Sequence, residues 1–161
     1  MFSLNTGRLL ADPTILRRPL DQQLARGNAV IHFTSRFFDL LRGSMAKELL
    51  EMLSDENWAY QFWSLHSTEF FFFQHGILPT FMYSLWMIDL SKVYSSPNGD
   101  AIRKSHVKYL QAYSFNYPAM IEFFDGIQNI ATKHPDENLR NRQVWNYVET
   151  WIKEHRKLLD M

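Results

Sequence analysis

WAYQFWSLHSTEFFFFQHGILPTFMYSLWMIDLSKVY, residues 58–94, is the stretch that decides the fold. Its charged side chains are Glu69, Asp89 and Lys92, and none of them falls between residues 70 and 88. Ser54 and Asp55 stand just before it and supply a helix start, with Asp55 and Glu56 where the helix dipole favours acids. The helix predicted from there runs to about His75, roughly 30 Å at the α-helical rise. Phe70, Phe71, Phe72 and Phe73 are consecutive, so they cover every side of that helix. Such a turn is expected to be covered all round, by protein, lipid or a partner.

Gln74-His75-Gly76-Ile77-Leu78-Pro79 interrupts the pattern. Gly76 is suited to end one helix and Pro79 to open the next at its first turn. The second helix carries Phe81, Met82, Leu85, Trp86, Ile88, Val93 and Tyr94. So short a break predicts antiparallel neighbours, and hence an aromatic helical hairpin.

The flanks read as helices too. Asp21, after Pro19, is a predicted N-cap, followed by a stripe of Leu24, Ile31, Phe38 and Leu41 with Val30 and Phe37 beside it, and Gly43 stops the helix. Ser44 then caps a short helix through Met45, Leu49, Leu50 and Leu53. On the other side, Ser95-Ser96-Pro97-Asn98-Gly99 is a loop. Asp100 is the predicted cap of a helix with Ile102, His106, Tyr109, Leu110 and Tyr113 on one side and Arg103, Lys104 and Lys108 elsewhere. Pro118 forces Tyr117 out of the α region and sets a boundary. Met120, Phe123, Phe124, Ile127 and Ile130 form the next stripe, ending before Pro135. Gly126 costs that helix about 1 kcal/mol against Ala, unless it makes room for a large ring. The last helix begins near Asp136, with a stripe of Val144, Val148, Trp151, His155 and Leu158, Glu137 in its first turn and Arg156 and Lys157 in its last. There is no internal repeat and no convincing strand. The expected fold is all-α: an antiparallel bundle of six or seven helices around the aromatic hairpin, in one domain over 19–161, preceded by a flexible arm over 1–18.

Composition sets outer limits. The 161 residues are one domain's worth, large enough to sustain a core without staples. Aromatic residues make up 16%, which demands burial, a ligand or a partner. Seventeen basic side chains balance seventeen acidic ones, so there is no long-range pull on nucleic acid or anionic lipid and little repulsion between copies. There is no cysteine, hence no disulfide, thiolate nucleophile, iron–sulfur cluster or Cys-based zinc site. Met1 to Arg18 lacks the continuous apolar core of a secretory signal, and a cytoplasmic location is expected.

Residues 70–88 are long enough to span a membrane, but Gln74, His75, Gly76 and Pro79 sit in the middle, where lipid leaves polar groups unsatisfied. A buried hairpin is the preferred reading. A short helix pair around residues 45–65 could imitate a DNA-binding motif, but Asp55 and Glu56 would meet phosphates at the entering helix, and nucleic acid is excluded as a partner. Lys133, Arg140 and Arg142 are read as a small solvated basic face.

Chemistry-bearing residues are sparse. His66 and Glu69 lie on one helix face, in the reverse order of the Glu-x-x-His of di-iron bundles and without the second copy that chemistry needs. A hydrogen-bonded polar notch is the simpler account. His75 at the bend could ligate haem or a metal, but a dipole-stabilised C-terminal histidine explains it as well. His106 and His155 fall on apolar stripes, where histidines are mostly hydrogen-bonded core residues. No nucleophile elbow, phosphate-cradling loop, His-Glu-x-x-His or dinucleotide fingerprint occurs.

Two functions follow as expectations. The first is a non-catalytic interaction or regulatory module acting through protein contacts, self-associating, with Phe70, Phe71, Phe72, Phe73, Trp86 and Trp151 as candidate contact residues. The alternative is a small-molecule binder for a tetrapyrrole, a lipid or another planar apolar ligand, with His66, Glu69, Gln74, His75 and Asp89 as its polar groups and a metal-assisted reaction as its extension.

Overall fold

The structure, a computed structural model, describes residue 24 and residues 27–35, 46–113 and 118–155. The arm at 1–18, the Asp21 cap, the stripe positions Phe37, Phe38 and Leu41, the stop at Gly43, the cap at Ser44 with Met45, the boundary at Tyr117, and Arg156, Lys157 and Leu158 lie outside those residues. Every described element is helical. Residues 27–35 belong to α1, followed by α2 (Ala46–Met52), α3 (Glu56–Gln74), α4 (Thr80–Tyr94), α5 (Gly99–Tyr113), α6 (Pro118–Lys133) and α7 (Glu137–His155). The protein is an all-α helical bundle.

The local signals act as their chemistry requires. Asp55 is extended and accepts the Trp58 N–H at 3.0 Å, satisfying a donor at the start of α3 that has no partner within the helix. Asp136 does the same for Leu139 at 2.7 Å at the start of α7. At the far end of α3 the Gly76 N–H bonds the Phe73 carbonyl and the Ile77 N–H bonds that of Phe72, both at 2.9 Å. That is the Schellman closure, and it needs the left-handed φ of 71° that Gly76 adopts. Pro79 stands one place earlier than expected, as the extended N-cap of α4 rather than in its first turn. Asp100 is likewise inside the first turn of α5, whose helix begins at Gly99. A Cβ on Gly99 would run into the Tyr94 carbonyl, so glycine permits this tight turn. Gly126 has the reason the sequence left conditional: a Cβ there would overlap the ring and hydroxyl of Tyr147.

The hairpin differs in detail from two helices packed along their length. The closest backbone neighbours of α4 are α7, then α6 and α5, while those of α3 are α5 and α7. At the bend the two helices meet through rings, with Phe73 stacked on Tyr83 at 4.2 Å. Phe123 of α6 lies against both, 5.1 Å from Phe70, 6.0 Å from Phe73 and 5.8 Å from Tyr83. Its other side meets Trp151 at 5.3 Å and Tyr147 at 5.6 Å. One fully buried phenyl ring therefore joins α3, α4, α6 and α7.

The predicted stripe of α1 and the solvated reading of Arg140 are corrected, and the face of α4 is settled. On α1, Ile31 is 68% exposed and Leu24 is also outside, while Ala29 and Phe33 are buried, with the Phe33 ring 5.3 Å from Phe72. Branched bulk at Ile31 suited the stripe, but Phe33 buries more apolar area against another ring. On α4 the buried side is Tyr83, Ser84, Met87, Leu90, Ser91 and Tyr94, leaving Phe81 and Leu85 outside. That helix carries large apolar residues on every side, so residue type alone could not choose its face. Arg140, read as part of a solvated basic face, is buried, and Arg103 of α5 is buried as well.

Candidate functional site

His66 and Glu69 face inward from α3, and their side chains meet in the core, with His66 Nδ1 3.1 Å from Glu69 Oε2. The pairing is local, since residues three apart share a helix face. Around them the rings of Phe62 and Phe124 stand edge-on to the imidazole at 4.6 and 6.5 Å. Tyr83 of α4 is buried near enough to Glu69 to feel its charge. Burial first, and then the Glu69 and Tyr94 charges, hold the Tyr83 phenol un-ionised well beyond its ordinary range.

The polar cluster continues into α5, where the sequence offered only an apolar-stripe histidine. His106 is wholly buried, stacked on Trp63 and edge-on to Phe124 at 4.7 Å. Its Nδ1 lies 3.4 Å from the Tyr94 hydroxyl. Burial, then the charges of Arg103 and His66, push its pKa well below the usual histidine value. Burial also raises Tyr94, whose remaining influences are Arg103, which opposes the rise, and Asp125, which adds to it. Arg103 pairs with Asp125 of α6, and Trp63 donates to Ser105 at 3.1 Å.

At neutral pH this cluster therefore holds a neutral imidazole at His106 and protonated phenols at Tyr83 and Tyr94. His66, Glu69, Tyr83 and His106 have essentially no exposed surface, so no substrate reaches them in this conformation. Among the described residues no three His, Asp or Glu side chains are placed to hold a metal ion. The chemistry on view is internal hydrogen bonding.

The remaining ligand candidates are scattered. Gln74 is buried at the end of α3. His75 is the C-cap, its Nδ1 donating to the Phe71 carbonyl at 2.8 Å while its ring lies 4.1 Å from that of Phe71. Asp89 points to solvent and pairs with Lys92 at 3.2 Å, because the buried arc of α4 passes through Met87 and Leu90 instead. The contact candidates divide as well. Phe70, Phe73 and Trp151 are core and offer no surface, Phe72 and Trp86 are half-buried, and Phe71 faces outward, partly covered by His75.

The exposed features lie elsewhere. Phe81 is 58% exposed on α4, and its ring stands edge-on to Trp145 of α7 at 5.5 Å. Leu85, one turn along, is also exposed. Trp145 is fixed by its own hydrogen bond to Glu149 at 2.9 Å. A groove of about 330 Å³ runs past Leu53, Glu56, Tyr60, Lys108 and Tyr109. A larger pocket of about 480 Å³ opens where the α4–α5 loop meets the α6–α7 loop, with Arg140 in its wall. No described helix is long and apolar enough to cross a membrane.

The chain matches no known protein family, no curated protein and no solved structure.

Proposed function

We propose that the protein is a non-catalytic helical interaction module that pairs with a second copy of itself through the α4–α7 face. The observation that carries this reading is the exposed Phe81 ring set against Trp145, with Leu85 continuing the apolar strip. Helices α4 and α7 are each other's closest backbone neighbours, so the strip stands on a rigid support. A large aromatic held in this way is the residue type that dominates interface energetics, and a clustered apolar patch marks an interaction surface more than a scattered one does. The occupant argued for is a second copy, because equal numbers of acidic and basic residues remove the repulsion that would keep copies apart. The absence of cysteine suits a reducing, cytoplasmic setting.

The geometry supports the planar-ligand reading, with its pocket between the hairpin and its neighbours, less well, since the Phe123 ring of α6 packs directly against Phe70, Phe73 and Tyr83 of the hairpin. Sedimentation equilibrium tests the proposal. The expected result is a mass that rises with concentration towards the dimer, and a monomer for the folded Phe81→Ser, Leu85→Ser variant. A wild-type chain that stays monomeric at every concentration would sink the idea.

A further inference from the structure

The pocket between the α4–α5 and α6–α7 loops contains a cation that no acidic side chain among the described residues pairs with. Arg140 is only 6% exposed. Its Nη1 reaches the Pro135 carbonyl at 3.5 Å, the outer limit of a hydrogen bond, and its Nε is buried with no partner. The ion pairs among the described residues engage His66, Lys92, Arg103 and Lys108, and none engages Arg140. A buried guanidinium in this state is costly, because its desolvation is repaid only by an anion or a full set of acceptors.

The other polar groups of the wall are mostly committed to the fold. Ser95 donates to the Lys92 carbonyl at 2.9 Å, and Thr132 to the Gln128 and Asn129 carbonyls at 3.1 Å. Asp100 accepts from Gln128 at 3.4 Å. The exception is Ser96, whose hydroxyl is buried without a partner. The wall thus holds a guanidinium with an unpartnered Nε and a buried, unpartnered Ser96 hydroxyl beside about 480 Å³ of space, within the range of small-ligand sites.

We propose that this pocket binds a small oxyanion, a phosphate or a carboxylate, through Arg140 and Ser96. The planar fork of the guanidinium matches two oxygens of either group. Asp100 in the same wall works against ligands of high negative charge, so a compact anion fits better than a polyanion. Isothermal titration at constant ionic strength, with inorganic phosphate in one arm and acetate in the other, tests the site and separates the two sources. The expected result is saturable binding in at least one arm, weakened about ten-fold or more by Arg140→Gln, as loss of a charge-assisted hydrogen bond requires. Ser96→Ala, at the half-buried loop, is expected to weaken it several-fold and decides the question alone if the arginine variant fails to fold. The proposal is overturned if neither anion binds the wild-type chain, or if Ser96→Ala leaves binding unchanged.

Discussion

The imidazole of His106 lies flat on the indole of Trp63, with ring centres 4.2 Å apart and planes within 13°. The contact comes from α5 and α3 and fixes a neutral histidine in the core. Burial, Arg103 and His66 all disfavour its proton. In the unfolded chain the same group accepts a proton below about pH 6.5, so stability is lost as pH falls through that value, with a slope of at most about 1.4 kcal/mol per pH unit. Urea midpoints measured from neutral to mildly acid pH will show this slope, and His106→Gln will flatten it. Equal slopes in the two proteins would mean that native His106 carries a proton.

Tyrosine ionisation gives the opposite limb. Tyr83 and Tyr94 are buried and their phenols are held un-ionised above the ordinary range. The unfolded chain loses these protons near pH 10, so native stability falls as pH rises beyond it. Phenolate absorbance is expected to rise in two stages, the exposed tyrosines first and these two together with unfolding. Tyr83→Phe should leave stability at neutral pH nearly unchanged, because its hydroxyl has no partner, and should flatten the alkaline limb.

Gly126 and Tyr147 form a single packed unit. The Tyr147 hydroxyl reaches the Glu122 carbonyl at 3.3 Å, bringing its ring over Gly126. Gly126→Ala is therefore expected to destabilise by about 1–3 kcal/mol through overpacking, although alanine is the better helix former. With Tyr147→Leu in place the same change should become neutral or favourable. Simple additivity in a double-mutant cycle on thermal unfolding would contradict this account.

Ser84 and Glu69 are both buried polar residues with opposite prospects. The Ser84 hydroxyl has no partner, so Ser84→Ala should be neutral or stabilising by up to about 1 kcal/mol. Glu69→Ala removes the hydrogen-bonding partner of buried His66 Nδ1 and should cost about 1–3 kcal/mol. Urea denaturation of the two variants side by side provides the comparison.

The features that could be read ahead were those settled within a few residues. Asp55, Gly76 and Asp136 control donors and acceptors one turn away, so their identity announces their role. His66 and Glu69 came together for the same reason. Asp89 did not join them, since its direction depends on which side of a helix with apolar residues all round meets α7 and α6. Arg140 was misread through its charge, although it stands four residues before Val144 in the series Val144, Val148 and Trp151 that is buried. Arg103 precedes buried His106 and Leu110 by three and seven places, and the same spacing would have placed it. The Phe81–Trp145 strip joins residues far apart in the chain, and nothing local could reveal it.

Phe123 has a consequence for biosynthesis. The hairpin of α3 and α4 emerges from the ribosome well before α6, and its own rings meet only around the bend. Until Phe123 arrives, the inner faces of Phe70, Phe73 and Tyr83 lack the ring that joins them, and Trp151 comes later still. Nascent chains ending before α6 should therefore be protease-sensitive and in need of a chaperone, and protection should arrive abruptly once α7 is free of the exit tunnel.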